Sequence, residues 1–184
     1  MARLVLVRHA EPDASWGEHP DPGLSELGAR QAEETANRLT EFGTASIVTS
    51  PLLRARETAA PLERQVGVVA RVETRVGEIA TPPGLATPRG AWLRGVLGGR
   101  WADVETGTQQ WRAELLETVR ATRETTIAFT HFVAINVVVG AANDDDDDRV
   151  WSCSPAHASV TVVNVDGGDL RVIRLGDQSA SRVR

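Results

Sequence analysis

The stretch Leu4-Val5-Leu6-Val7-Arg8-His9-Ala10-Glu11 changes from apolar to cationic at a single bond. Four apolar residues in a row predict a short strand covered on both faces, as the strands of a parallel sheet are. In open α/β sheets, ligands sit just beyond the carboxyl ends of the strands, so Arg8 and His9 emerge where chemistry is done. An imidazole is a competent nucleophile near neutral pH, and the guanidinium beside it offers a planar fork of donors that matches a phosphoryl group.

Working outward, Glu11 to Gly23 is a Pro-, Asp- and Gly-rich loop, after which Ser25 is placed to cap a helix. Ala29, Ala32, Ala36 and Leu39 give that helix a narrow apolar stripe, and Gly43 stops it. A second strand is expected over Ala45–Thr49. Ser50-Pro51 then reads as a helix start, with Ser50 as N-cap, Pro51 in the first turn and the helix running from Leu52 to Gln65. Val68–Val72 is expected as a third strand. Strand and helix in alternation argue for right-handed crossovers and a mainly parallel sheet with helices on both faces, an α/β chain whose residues 1–184 form a single domain.

Gly77 to Gly107 breaks the rhythm. It carries proline, glycine and two tryptophans with weak periodicity, and is expected as a loop region forming a lid or pocket wall. Beyond it come a helix with Trp111, Leu115 and Val119 on one face, a buried strand over Thr125–Thr130 ending at His131, and a Val-rich helix over Phe132–Ala142. Two closing strands, Ser159–Val165 and Leu170–Leu175, flank the hairpin turn Asp166-Gly167-Gly168-Asp169.

Composition narrows the class. Hydrophobic residues at 41% and charged residues at 24% are those of a globular protein. A net charge of −5 offers no bulk attraction to nucleic acid or to an anionic membrane. All 20 basic residues are arginine, which excludes lysine chemistry. Cys153 stands alone, so no internal disulfide forms, and with no signal peptide and no run long enough to span a bilayer a cytoplasmic location is expected. Oligomeric state is left open.

Three strand-to-helix junctions look alike: Arg8-His9, Ser50-Pro51-Leu52-Leu53-Arg54-Ala55-Arg56-Glu57-Thr58-Ala59, and Thr130-His131. If the strands are parallel neighbours, all three deliver polar residues to one sheet edge, with Arg54 in the first turn of its helix, where the backbone dipole also favours an anion. Two arginines and two histidines then make a positive pocket inside an acidic protein, suited to a phosphate dianion. Together with Leu24-Ser25-Glu26-Leu27-Gly28-Ala29-Arg30-Gln31-Ala32, these blocks resemble the histidine phosphatase, or phosphoglycerate mutase-like, superfamily. The resemblance departs at three points. Arg-His-Ala stands for Arg-His-Gly, Asp13-Ala14-Ser15-Trp16 lacks the family's asparagine, and Phe132-Val133 follows His131 in place of Gly-Gly.

The resemblance implies His9 as the nucleophile that becomes phosphohistidine, with Arg8, Arg54 and His131 holding the phosphoryl oxygens. It also implies Glu78 as the acid that protonates the leaving group and later activates water. Arginines do the charge neutralisation, so no metal and no cofactor are implied. The activity implied is that of a phosphomonoesterase on a small phosphorylated substrate. A phosphoglycerate mutase and a silent phospho-ligand- or protein-binding scaffold are the alternatives. Arg56 and Glu57 read as a solvated helix face, His157 as a surface loop residue, His19 is given no role, Trp92, Trp101 and Trp111 read as packing residues, and Asp144–Asp148 as a solvated loop.

Overall fold

The structure, a computed structural model, describes residues 1–14, 19–143 and 148–179. Its centre is a six-stranded sheet built from β1 (Ala2–Arg8), β2 (Ser46–Thr49), β3 (Arg71–Val72), β4 (Thr126–Thr130), β5 (Val160–Asp166) and β6 (Asp169–Arg174) in the order β3-β2-β4-β1-β5-β6. The first four strands in that order run parallel, and β5 and β6 close the sheet antiparallel at the other side. Leu4 lies opposite Thr126 and Arg8 opposite Thr130, while Thr49 pairs with Phe129, so β2, β4 and β1 end level with one another.

Alternation along the strands sorts their side chains into two cores. Val5, Val7, Ile47, Ile127 and Phe129 face α1 (Glu26–Leu39) and α2 (Leu53–Val66). Leu4, Leu6, Val48 and Ala128 face α3 (Arg89–Gly98), α4 (Thr106–Arg120) and α5 (Phe132–Ala141). Helices therefore cover both faces, as the uninterrupted apolar run of β1 requires. The last helix, α5, is buried on every side from Phe132 to Gly140, which accounts for a composition with no polar face.

Several expectations hold in detail. Ser25 caps α1 by accepting from the Gly28 amide at 3.0 Å. Gly28 has to be glycine, because a Cβ there would lie 2.0 Å from the Glu11 carbonyl oxygen. Trp101 is buried, and Trp92 and Trp111 pack against the α3–α5 core.

Three expectations need correction. The third strand shrinks to Arg71–Val72, because the chain leaves α2 through a left-handed Gly67 and passes Val68 and Val69 through solvent before it meets the sheet edge. The Gly77–Gly107 region contains a ten-residue helix, α3, whose Leu93, Val96 and Leu97 are buried at helical spacing. Gly90, Gly95 and Gly98 dilute that pattern, and three prolines precede it. Ser50 is not the N-cap of α2, which starts at Leu53 and takes its cap from elsewhere. Of the acidic run, Asp144–Asp147 lie outside the described residues. Asp148 is ion-paired with Arg100, and its carbonyl accepts from the Trp101 amide at 2.8 Å.

Candidate functional site

The level strand ends are laced together by backbone bonds. The His9 amide donates to the Thr130 carbonyl at 2.9 Å, and the Ser50 amide donates to the Phe129 carbonyl, also at 2.9 Å. All three junctions are thereby held on one rim. Thr58 of α2 ties them further, accepting from the Ala10 amide at 2.9 Å while its hydroxyl donates to the Arg54 carbonyl at 2.6 Å.

His9 and His131 stand side by side with ring centroids 5.1 Å apart, and are 1% and 0% exposed. His9 Nδ1 lies 2.8 Å from the Ala10 carbonyl oxygen, which can only accept, so this nitrogen carries the proton and Nε2 keeps its lone pair. Burial, and then the nearby His131, Arg8 and Arg54, hold the His9 imidazole well below its ordinary pKa, so it is neutral. His131 Nε2 sits 2.7 Å from the Ser50 hydroxyl, which in turn accepts from the Leu52 amide at 3.2 Å. Assigned from these partners, the Ser50 hydroxyl donates to Nε2, and Nδ1 bears the proton. That Nδ1 is buried without a hydrogen-bond partner among the described residues, a donor left over for a ligand.

Arg8 is 8% exposed and donates from Nη1 to the Pro155 carbonyl and from Nη2 to His157 Nε2, both at 2.8 Å, with the Phe132 ring 5.2 Å from its guanidinium carbon. Phe132, which stands where the family pattern has glycine, is thus the platform under this arginine. Burial lowers Arg8 to about 10, which still leaves it charged. Arg54 lies in the first turn of α2, its side chain 11% exposed, with Nη1 3.7 Å from Asp21. Asp21 also accepts from the Leu53 amide at 2.9 Å, so a residue of the Glu11–Gly23 loop supplies the cap that Ser50 was expected to provide. Ser50 is turned instead toward His131.

Glu78 closes the pocket from the segment after β3. Its Oε1 accepts from the Ile79 amide at 3.0 Å, and Oε2 stands 3.5 Å from the Val133 amide. Burial raises its pKa, opposed by the Ile79 amide, Arg54 and Arg89. Glu73 braces this segment. Buried between Arg71 and Arg75, it is depressed to about 2, mainly by its hydrogen bonds from Arg75.

A cleft of about 600 Å³ opens in front of Arg54 and Glu78, with His19, Thr81 and Arg89 on its walls. Arg89 starts α3 and reaches back to the Ile79 carbonyl at 2.9 Å and the Thr81 hydroxyl at 2.7 Å. A larger hollow, about 870 Å³, lies between α4 and the sheet, but none of the five predicted site residues lines it. The predicted residues thus lie away from that hollow, at and beside the strand ends.

The five residues named from sequence are brought together: Arg8, His9, Arg54 and His131 at the rim, Glu78 across from them. Two readings change. Glu57 is no solvated helix face, since it accepts from the Leu24 amide at 2.6 Å and pins the loop before α1. His157 is no surface histidine, since it bonds Arg8 and its ring lies 5.6 Å from His9. Asp21 and Arg89 were missed, having no local pattern to mark them. Ser15 and Trp16, in the stretch that lacks the family's asparagine, lie outside the described residues. Among the described residues no group of His, Cys, Asp and Glu could hold a metal ion, and no helix is long and apolar enough to cross a membrane.

Comparison with known proteins bears on the same rim. Residues 4–83, which contain His9, Arg54 and Glu78, match the family model of the histidine phosphatase superfamily, branch 1. A glucosyl-3-phosphoglycerate phosphatase of Mycobacterium tuberculosis is 41% identical over 80 residues, 41% of this chain and 36% of that protein. The match thus spans about a third of the relative's length. A 2,3-bisphosphoglycerate-dependent phosphoglycerate mutase of Thermoplasma acidophilum is 25% identical over 191 residues, 96% of this chain and 92% of that one. A solved mycobacterial glucosyl-3-phosphoglycerate phosphatase, complexed with VO3, superimposes with a TM-score of 0.73 at 25% identity, covering 97% of this chain and 100% of that one. Residues 4–83 are thus similar in sequence to the histidine phosphatase superfamily, and nearly all of the chain's length is similar in fold to a solved glucosyl-3-phosphoglycerate phosphatase.

Proposed function

We propose that the chain is a metal-independent phosphomonoesterase that works through a phosphohistidine on His9. The observation that carries this reading is His9 itself: buried, neutral, its Nδ1 proton committed to the Ala10 carbonyl, its Nε2 lone pair set among Arg8, Arg54 and His131. In the first step Nε2 attacks phosphorus, the phosphorus–oxygen ester bond breaks, and the departing alkoxide takes its proton from Glu78. In the second, the Glu78 carboxylate takes a proton from water, the hydroxide oxygen attacks phosphorus, the nitrogen–phosphorus bond breaks, and phosphate leaves. Arg8, Arg54 and His131 Nδ1–H hold the equatorial oxygens, and such positioning and charge stabilisation is most of what a protein can supply to phosphoryl transfer. A raised Glu78 pKa suits it to begin the cycle protonated.

The substrate would be a small phosphorylated metabolite, entering through the cleft beside Arg54 and Arg89. Relatives bear the names of a glucosyl-3-phosphoglycerate phosphatase and a phosphoglycerate mutase, which places phosphorylated glycerate derivatives first in a screen. The mutase reading is kept because that relative matches nearly end to end.

Hydrolysis of p-nitrophenyl phosphate with a chelator present tests the reading. Wild type should turn over, and His9→Ala should lose about 10⁴-fold or more in kcat, the scale set by removing other catalytic nucleophiles. Substantial residual activity in His9→Ala would overturn the nucleophile assignment. Phosphoryl exchange between phosphoglycerates without release of phosphate would establish the mutase instead.

A further inference from the structure

Arg8 presents its guanidinium to the pocket through partners that come from one loop. Nη1 donates to the Pro155 carbonyl and Nη2 to His157 Nε2, while Nε is buried with no hydrogen-bond partner among the described residues. A guanidinium has only donors, so His157 Nε2 must accept, and its Nδ1 carries the proton.

The loop that delivers His157 is fixed well beyond what a surface connection needs. Its start is held by Asn136, buried in α5, whose Oδ1 accepts from the Ser152 and Cys153 amides at 2.7 and 2.8 Å. Its middle is tied by the Ala156 amide donating to the Asp177 carbonyl at 2.7 Å. Its end is Ala158, with φ of 58°, the one non-glycine residue with positive φ among the described residues. A side chain in that region is strained and persists only where its surroundings over-determine it. Here they do. The Ala158 amide lies 3.1 and 3.3 Å from the Arg8 and His9 carbonyl oxygens, and its carbonyl accepts from Thr35 at 3.0 Å and Arg38 at 3.1 Å. The strained turn is bonded to the backbone of the two residues whose side chains its neighbour faces.

We propose that His157 is a positioning residue, set by the strained turn at Ala158 to hold the Arg8 guanidinium so that Nε–H and the free η hydrogens point at the phosphoryl oxygens. The proposal rests on the phosphatase reading, since it gives His157 its role through Arg8. Burial and the Arg8 charge depress the His157 imidazole to about 3, so it remains a neutral acceptor across the working range. The groups that face it are Arg8 and His9.

The test compares wild type, His157→Leu and His157→Gln for vanadate affinity, for KM and kcat on p-nitrophenyl phosphate, and for thermal midpoint. Leucine fills the space without accepting a bond, whereas the glutamine amide oxygen reaches the place of Nε2. His157→Leu should bind vanadate about 10- to 100-fold more weakly, the worth of one bond to a charged group, and raise KM in step. His157→Gln should recover most of both, with the two midpoints alike. Wild-type vanadate affinity in His157→Leu would overturn the proposal, as would equal defects in both variants accompanied by equal loss of thermal stability. If wild type itself neither binds vanadate nor hydrolyses the ester, the phosphatase reading fails first and takes this role of Arg8 and His157 with it.

Discussion

The strand-end rim and the walls that face it are held by different forces. At the rim, Arg8, His9, Ser50 and His131 leave β1, β2 and β4 at the same level because ladder hydrogen bonds and two apolar cores fix those strands. Each side chain is buried because its strand is buried. The walls have no such scaffold. The Glu78 segment rests on Glu73 and its arginines, the Glu11–Gly23 loop on Asp21 and Glu57, the His157 loop on Asn136 and a strained alanine. The rim is placed by periodic burial and the walls by single polar contacts between residues far apart in the chain. The difference teaches where structure tolerates change: a rim residue is held by its strand, whereas a wall residue is held by one or two polar contacts that a single substitution removes.

Glu78→Gln should show the largest effect on the wall side. It keeps shape and removes the proton, so turnover of alkyl phosphates, whose leaving groups are poor, should fall about 10²- to 10⁴-fold, the usual range for a general acid. Aryl phosphates, whose leaving groups need little protonation, should fall far less in the phosphorylation step. Equal losses on both would assign the proton to another group. The pH profile sharpens the same point. In the proposed mechanism kcat/KM requires neutral His9, whose pKa is lowered, and protonated Glu78, whose pKa is raised. The rising limb therefore lies well below the ordinary histidine value, and the falling limb above the ordinary carboxylate value. The optimum should lie between the two limbs, and Glu78→Gln should erase the falling limb alone.

Legibility from sequence follows the same division. The main strands, the helices on both faces and Arg8, His9 and His131 could be read because an apolar run that ends in Arg-His, or in Thr-His, is a local pattern. Glu78 was reached by resemblance, since a lone glutamate in a loop has no periodicity behind it. Ser50 was misread through a true local signal: serine before proline does favour a helix start, but the Asp21 carboxylate reaches the Leu53 amide of α2 from another loop, and Ser50 bonds His131 instead. His157 was set aside because nothing beside it announces Arg8, which lies 149 positions earlier in the chain. The helix α3 hid behind glycines that thin its apolar stripe.

One substitution type, glycine to alanine, separates the two regions with opposite signs. Gly28 lies in α1 behind the rim, where a Cβ would sit 2.0 Å from the Glu11 carbonyl oxygen, backbone that cannot yield without moving the loop and the helix apart. Gly28→Ala should destabilise by about 3 kcal/mol, the upper range for overpacking, lowering the thermal midpoint on the order of 10 °C. Gly95 lies in α3 on the wall, helical and exposed, with nothing within 4 Å of where a Cβ would stand. There alanine removes only unfolded-state freedom, so Gly95→Ala should stabilise by about 0.5–1 kcal/mol and raise the midpoint by roughly 2 °C. Calorimetry of both variants reads the contrast directly. A gain at Gly95 means that α3 is a helix held by its buried Leu93, Val96 and Leu97 against its own poor propensity. A loss there would mean that the face carrying Gly95 is already in contact with something that this reading leaves out, and the wall would have to be counted as scaffold.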